Sequence, residues 1–163
     1  MESSTVIIDK VKSKFGDMVL NHHNFRNDQT LLVKKECIVE LAKFLREEPS
    51  LQFNFLMDLS GVDYLKKNKP HRYEVVYHFF SLKHNHRVRI KVPVTKDDCV
   101  VDSLAPQWRT ANWLEREVWD MFGIKFNGHP NLKRILLYEE FKGHPLRKDY
   151  PVNKRQPLIG PVN

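Results

Sequence analysis

Apolar and polar positions along this chain change their period several times, and each change marks an element. From Ser4 to Phe15, Ile7 or Ile8, Val11 and Phe15 fall at helical spacing, and Gly16 ends the run. Two brief apolar stretches follow, Met18 to Leu20 and Thr30 to Val33, with the polar tract Asn21 to Gln29 between them, which predicts a hairpin. Ile38, Leu41, Ala42 and Leu45 recur at i, i+3, i+4 and i+7 and stop before Pro49. That is an amphipathic helix with one buried stripe. From Leu51 the period becomes two, placing Phe53, Phe55, Met57 and Leu59 on one side of a strand that Ser60-Gly61 breaks. Tyr73 to Leu82 and Arg87 to Val94 flank the polar turn Lys83-His84-Asn85-His86, and Val88, Ile90, Val92 and Val94 alternate with Arg87, Arg89 and Lys91. This predicts a second hairpin with one core face and one charged face.

After Asp97-Asp98 the chain turns. Asn112 followed by Glu115 predicts a helix start, the Asn oxygen and the carboxylate satisfying free N–H groups. The helix reaches about Phe122, with Leu114, Val118 and Met121 as its stripe, Arg116 and Asp120 as an i, i+4 pair and Gly123 as its terminator. The order α-β-β-α-β-β-β predicts a two-layer α+β fold with a mostly antiparallel sheet, followed by a C-terminal helix and an extended Pro-rich arm.

Composition sharpens the last part. The 163 residues carry 41% hydrophobic residues, enough for one core, and a net charge of +7. Residues 125–163 hold 8 basic and 3 acidic residues, so +5 of the excess lies there. Pro130, Pro145, Pro151, Pro157 and Pro161 interrupt any helix in that stretch, which predicts a body over 1–124 and an extended basic arm over 125–163. No apolar run approaches the roughly 20 residues of a membrane span, and residues 1–9 lack a basic stretch followed by an apolar block, so the chain is expected to stay where it is made. Cys37 and Cys99, far apart in sequence, form neither a disulfide framework nor a C-x-x-C pair.

Three clusters carry candidate chemistry. Glu115, Arg116, Glu117 and Asp120 crowd the late helix, but Glu115 and Glu117 point about 200° apart and cannot share a site. A charged face making salt bridges is the expectation for them. His129 and His144, each followed by Pro, could complete a metal site, as a small metallohydrolase would need, yet no Cys ligand lies near. Hydrogen bonds that fix irregular backbone suit them better. Lys133, Arg134, Arg147, Lys148, Lys154 and Arg155 could track phosphates while Phe141 and Tyr150 stack bases, as in a basic RNA-binding module. The interleaved Ile135, Leu136, Leu137 and Leu146 favour a protein surface instead. No G-x-G-x-x-G, Walker loop, G-x-S-x-G or Cys/His nucleophilic pair is present.

The stretch Glu115-Arg116-Glu117-Val-Trp-Asp120-Met-Phe-Gly123-Ile-Lys-Phe-Asn-Gly128-His129-Pro-Asn-Leu-Lys133-Arg134-Ile135 resembles the signature of the 30 kDa or C subunit family of the proton-pumping NADH:quinone oxidoreductase, respiratory complex I. Gly143-His144-Pro145-Leu146-Arg147-Lys148-Asp149-Tyr150-Pro151 is similar to that family's second hallmark, and the stretches Phe55 to Tyr64 and Tyr73 to Leu82, with the strand Arg87 to Pro93, are similar too. The resemblance implies a two-layer fold with an antiparallel sheet, in a structural subunit of the peripheral arm that supports electron transfer from NADH to quinone without an active site of its own. It implies no cofactor in this chain, with FMN, iron-sulfur clusters and quinone in partner subunits. It further implies packing on the D subunit, which with the B subunit forms the quinone cavity, on the cytoplasmic side of a bacterial inner membrane or an equivalent organellar membrane. Glu115, Arg116, Glu117, Asp120, Gly123, His129, Arg134, His144, Arg147, Lys148 and Asp149 then form a motif network that sets helix and arm against partners. Related subunits in hydrogenases and ferredoxin-linked complexes are the alternative within the same resemblance.

Overall fold

Alternation in the two central strands decides which side of the sheet becomes the core. The computed structural model describes residues 2–157, so Pro161 and the end of the expected arm lie outside the described residues. The elements run α1 (Glu2–Phe15), β1 (Val19–Phe25), β2 (Asp28–Val33), α2 (Ile38–Glu47), β3 (Phe55–Asp63), β4 (Tyr73–Ser81), β5 (His86–Val94), β6 (Val100–Asp102), α3 (Arg109–Phe122) and β7 (Lys125–Asn127). One sheet has the order β1-β2-β5-β4-β3, and β6 pairs with β7 in a second. Neighbours in the large sheet are antiparallel except β2 and β5, which are parallel because the chain passes through α2, β3 and β4 before β5 returns beside β2.

Tyr73, Val75, Tyr77 and Phe79 of β4 and Val88, Ile90, Val92 and Val94 of β5 share one core with Ile7 and Val11 of α1, Ile38, Leu41 and Leu45 of α2, and Ala111 and Val118 of α3. Each Val, Leu, Ile or Phe among them contributes about 1.5–3 kcal/mol on leaving water. The helices therefore lie on one face, giving the α+β arrangement expected.

Several local expectations are corrected. Phe55 and Met57 do not join Phe53 and Leu59 inside; they are 42% and 48% exposed, and Leu56 is buried instead. A bulge between Leu56 and Asp58 shifts the register and turns alternate residues over. The polar tract after Leu20 is largely strand, closed by Arg26 and Asn27, both at positive φ (52° and 67°) as a two-residue hairpin turn requires. Its polarity reflects an edge strand wetted on both faces. α3 begins at Arg109 rather than at Asn112, and Glu115 makes no cap. Between β7 and residue 157 the described chain shows no continuous extended arm. Phe141, Arg147, Tyr150 and Lys154 each donate an N–H to the carbonyl three residues back, making successive turns over α3 and β3.

Candidate functional site

Glu115, Arg116 and Asp120 are buried on α3, where charged groups are tolerated only if every one finds partners. The expected salt bridge forms within the chain, but the expected Arg116–Asp120 pair gives way to bonds with the segment that follows the helix, where Asp120 meets Arg134 and Arg116 meets backbone carbonyls. Oδ2 of Asp120 accepts the N–H groups of Ile135 (3.1 Å), Leu136 (3.0 Å) and Leu137 (3.0 Å), while Oδ1 accepts Nη1 of Arg134 at 2.5 Å. Burial works against the carboxylate's charge, but these donors together hold its pKa below the usual range. Arg134 also donates to the carbonyls of Phe141 (2.7 Å) and Gly143 (3.2 Å), and Arg116 donates to those of Lys133 (3.0 Å) and Arg134 (2.8 Å).

The second motif closes the end of the same helix. An α-helix leaves its last four carbonyls without intrahelical donors. Here Trp119 O accepts the Gly123 N–H (2.8 Å), Asp120 O accepts Nδ1–H of His144 (3.0 Å), Met121 O accepts the Leu146 N–H (3.1 Å) and Phe122 O accepts Nε–H of Arg147 (2.5 Å). Gly123 turns away at φ 74°, and a Cβ on it would strike His144 and Arg147. The two similar-looking motifs are thus two parts of one clasp, the first supplying the helix and the second its C-terminal cap.

Midway along α3, Glu115 accepts the hydroxyl of Ser103 (2.6 Å) and the N–H of Leu104 (2.7 Å). Burial pushes its pKa up to about 7 despite these bonds. His129, 4.0 Å from Glu115, donates Nε2–H to Asn112 O (3.0 Å) and accepts the Asn131 N–H at Nδ1 (3.0 Å), so both ring nitrogens hold backbone. Both histidines fix irregular chain, as expected, and among the described residues no group of three or more His, Cys, Asp or Glu is placed to hold a metal.

Asp63 and Glu74 fall in stretches that carry the resemblance, but neither they nor Arg72 and Ser103 were named as candidate site residues. Asp63 ends β3 and accepts Nη2 of Arg72 (3.1 Å) and the N–H groups of Leu65 (2.9 Å) and Lys148 (2.9 Å); Arg72 reaches on to Asp149 at 2.6 Å. Burial opposes the Asp63 charge, but Arg72 and the two N–H groups hold its pKa below the ordinary value. Glu74 is buried under the loop between β3 and β4, where Lys69 (2.8 Å), His71 (2.8 Å), Tyr64 (3.0 Å) and Lys91 (3.2 Å) surround it. Against the cost of burial they bring its pKa down to about 2. The one signal in the sequence was a lone acid in an otherwise apolar strand, Tyr73-Glu74-Val75-Val76-Tyr77.

Of the residues predicted for the site, Glu117 is exposed and outside these bonds, and Lys148 contributes its backbone N–H. The guanidinium groups of Arg134 and Arg147, which phosphate binding would need free, bond internal carbonyls, and Phe141 stacks on Tyr150 with centroids 6.1 Å apart. Large apolar side chains also face solvent here, Trp113 at 63%, Leu136 at 61% and Leu146 at 51% exposed, among exposed charged residues such as Glu117, Lys133 and Lys148.

A family model described as "Respiratory-chain NADH dehydrogenase, 30 Kd subunit" matches residues 31–156. The chain belongs to this family. The NADH-quinone oxidoreductase C subunit of Geotalea uraniireducens is 45% identical over 98% of this chain and 95% of its own, and that of Geobacter sulfurreducens is 44% identical over 98% and 97%. A solved trypsin-resistant fragment (1-134) of Nqo5 superposes with a TM-score of 0.68 at 29% identity, covering 80% of this chain and 99% of the fragment. A chain of the membrane-bound sulfane sulfur reductase, an archaeal respiratory membrane complex, shares the fold with a TM-score of 0.75 at 18% identity, over 91% of this chain and 86% of its own. The chain is a subunit of the NADH-quinone oxidoreductase complex, complex I, and the clasp lies within the residues that the family model matches. Among the described residues no helix is long and apolar enough to cross a membrane.

Proposed function

We propose that this chain is a non-catalytic docking element of the peripheral arm, and that α3 with residues 128–157 is the face it presents to the D and B subunits. The observation that carries this reading is the division of labour on that face. Arg116, Asp120, Arg134 and Arg147 are spent inward on the clasp, while Trp113, Leu136 and Leu146 stand outside it among exposed charged side chains, where they add nothing to the core. Exposed large apolar side chains on a hydrogen-bonded, rigid support suit a protein interface. Residues 125–163 act in this reading as the docking unit and 1–124 as the body that carries it. The trypsin-resistant fragment of Nqo5 supports a body that holds together by itself. FMN, iron-sulfur clusters and quinone belong to partner subunits, and the chain helps position them for electron transfer from NADH to quinone. Its place is the cytoplasmic side of a bacterial inner membrane, or the organellar equivalent, reached through the complex.

The double variant Leu136→Asp/Leu146→Asp tests this. Both positions are exposed, so the isolated fold is expected to survive with unchanged thermal unfolding. Charges buried in an interface are costly, and the variant is expected to co-purify with less than about a tenth of the usual iron-sulfur subunits and to lose NADH:quinone activity in membranes in proportion. Normal yield and activity of the complex would refute the docking face.

A further inference from the structure

We propose that β1 is a second docking edge, to which an extended segment of a neighbouring protein of the complex adds as a sixth strand. This rests on the chain's role as a docking element but uses a surface away from the clasp. The two edges of the large sheet differ. Along β3, Thr110 of α3 donates its hydroxyl to Leu56 O (3.2 Å) and the Lys148 N–H reaches Asp63 (2.9 Å), so helix and C-terminal segment both lie against that edge. Among the described residues no strand pairs with the outer edge of β1, six of whose seven residues are exposed.

Exposed edges invite pairing, and proteins usually guard them with Lys, Pro, inward charges or a bulge. The β1 sequence Val-Leu-Asn-His-His-Asn-Phe contains no Lys, Arg, Asp, Glu or Pro. Its one irregularity falls between Val19 and Asn21, and from Asn21 to Phe25 it pairs in register with Leu32 to Asp28. That leaves a regular run whose outer backbone groups have no strand beside them. Met18 (39% exposed), Leu20 (48%) and Phe25 (63%) offer apolar contacts at its two ends. Leu20 also borders a groove of about 410 Å³ lined by Lys34, Lys35, Glu36, Pro93, Thr95 and Asp98.

Charge narrows the occupant. Lys35 is paired with Asp98, and Asp28 with Arg87 and Arg89, whereas Arg26 and Lys34 meet no carboxylate among the described residues. Arg26 follows β1 at the hairpin turn and Lys34 donates its N–H to Met18 O at the other end. The partner segment is therefore an extended stretch of about five residues, apolar toward its two ends and polar between them, with an acidic residue where it passes Arg26. A second copy of this chain offers only another uncharged strand with histidines facing histidines.

Hydrogen–deuterium exchange of the purified complex against the isolated chain reads this directly. The outward amides of β1, those of His22 and Asn24, are expected to exchange at least about tenfold more slowly in the complex. The edge-guarding variant Asn21→Lys/His23→Lys is expected to keep the isolated fold and to lose that slowing. Equal exchange in both states overturns the proposal. So does protection in the isolated chain that grows with its concentration, which would mean self-pairing. Residues 129–150 report separately in the same experiment, so failure of the clasp face and failure of the β1 edge are distinguishable.

Discussion

Replacing Glu115 with Gln is expected to remove a pH dependence from folding. The carboxylate is fully buried, and its pKa stands at about 7 against an ordinary 4.5. An acid whose pKa is raised by folding favours the folded state most when protonated. Its contribution is complete below pH 4.5 and is lost as the pH rises through 7. The shift corresponds to about 3 kcal/mol across that window. Gln keeps an oxygen for the Leu104 N–H, and its amide can donate to the Ser103 hydroxyl oxygen, so the hydrogen-bond count at the site survives. Urea titrations of wild type and Glu115→Gln between about pH 5 and pH 8 measure the difference. The variant is expected near wild type at about pH 5 and about 2–3 kcal/mol more stable at about pH 8. A difference that stays constant across the range would refute the assignment of a buried, easily protonated Glu115.

Asp120→Ala strands three backbone N–H groups and Arg134, and is expected to cost about 3–5 kcal/mol in urea unfolding; a loss below about 1 kcal/mol would show that the clasp contributes little. Glu74 has its pKa lowered to about 2, so its contribution is present above 4.5 and lost as the pH falls through 2. Glu74→Gln is then expected to be destabilised by about 3 kcal/mol at about pH 7 and by much less at about pH 2, measured by the same titrations. Arg72→Met removes the link between Asp63 and Asp149, and limited trypsin digestion is expected to cleave at Arg147 or Lys148 several-fold faster than in wild type.

Much of the body was legible because periodicity reports burial where one face is wet. The β4–β5 hairpin and the stripe of α2 appear where Val88, Ile90, Val92 and Val94, and Ile38, Leu41 and Leu45, predicted them. β1 was less legible, since a strand exposed on both faces carries no alternation. β3 misled because its bulge exchanges Phe55 and Met57 for Leu56, and a bulge leaves no mark in an apolar run. In α3 the capping pattern Asn112–Glu115 read as local chemistry, while Glu115 bonds Ser103 and Leu104 before the helix and Asp120 bonds residues 134–137 after it. Such long-range bonds have no spacing rule. The motif residues His129 and His144 were read correctly as backbone fixers, since each follows a Gly and precedes a Pro in a segment that cannot be helical.

Photo-crosslinking from position 136 in the assembled complex tests the docking role most directly. Leu136 is 61% exposed in the isolated chain, and a photoreactive residue there is expected to give adducts with the D or the B subunit. The same residue at exposed Glu47 on α2 serves as the surface control. A photoreactive residue at position 136 that labels neither of those two partners, in a complex that is otherwise intact, would contradict the docking role.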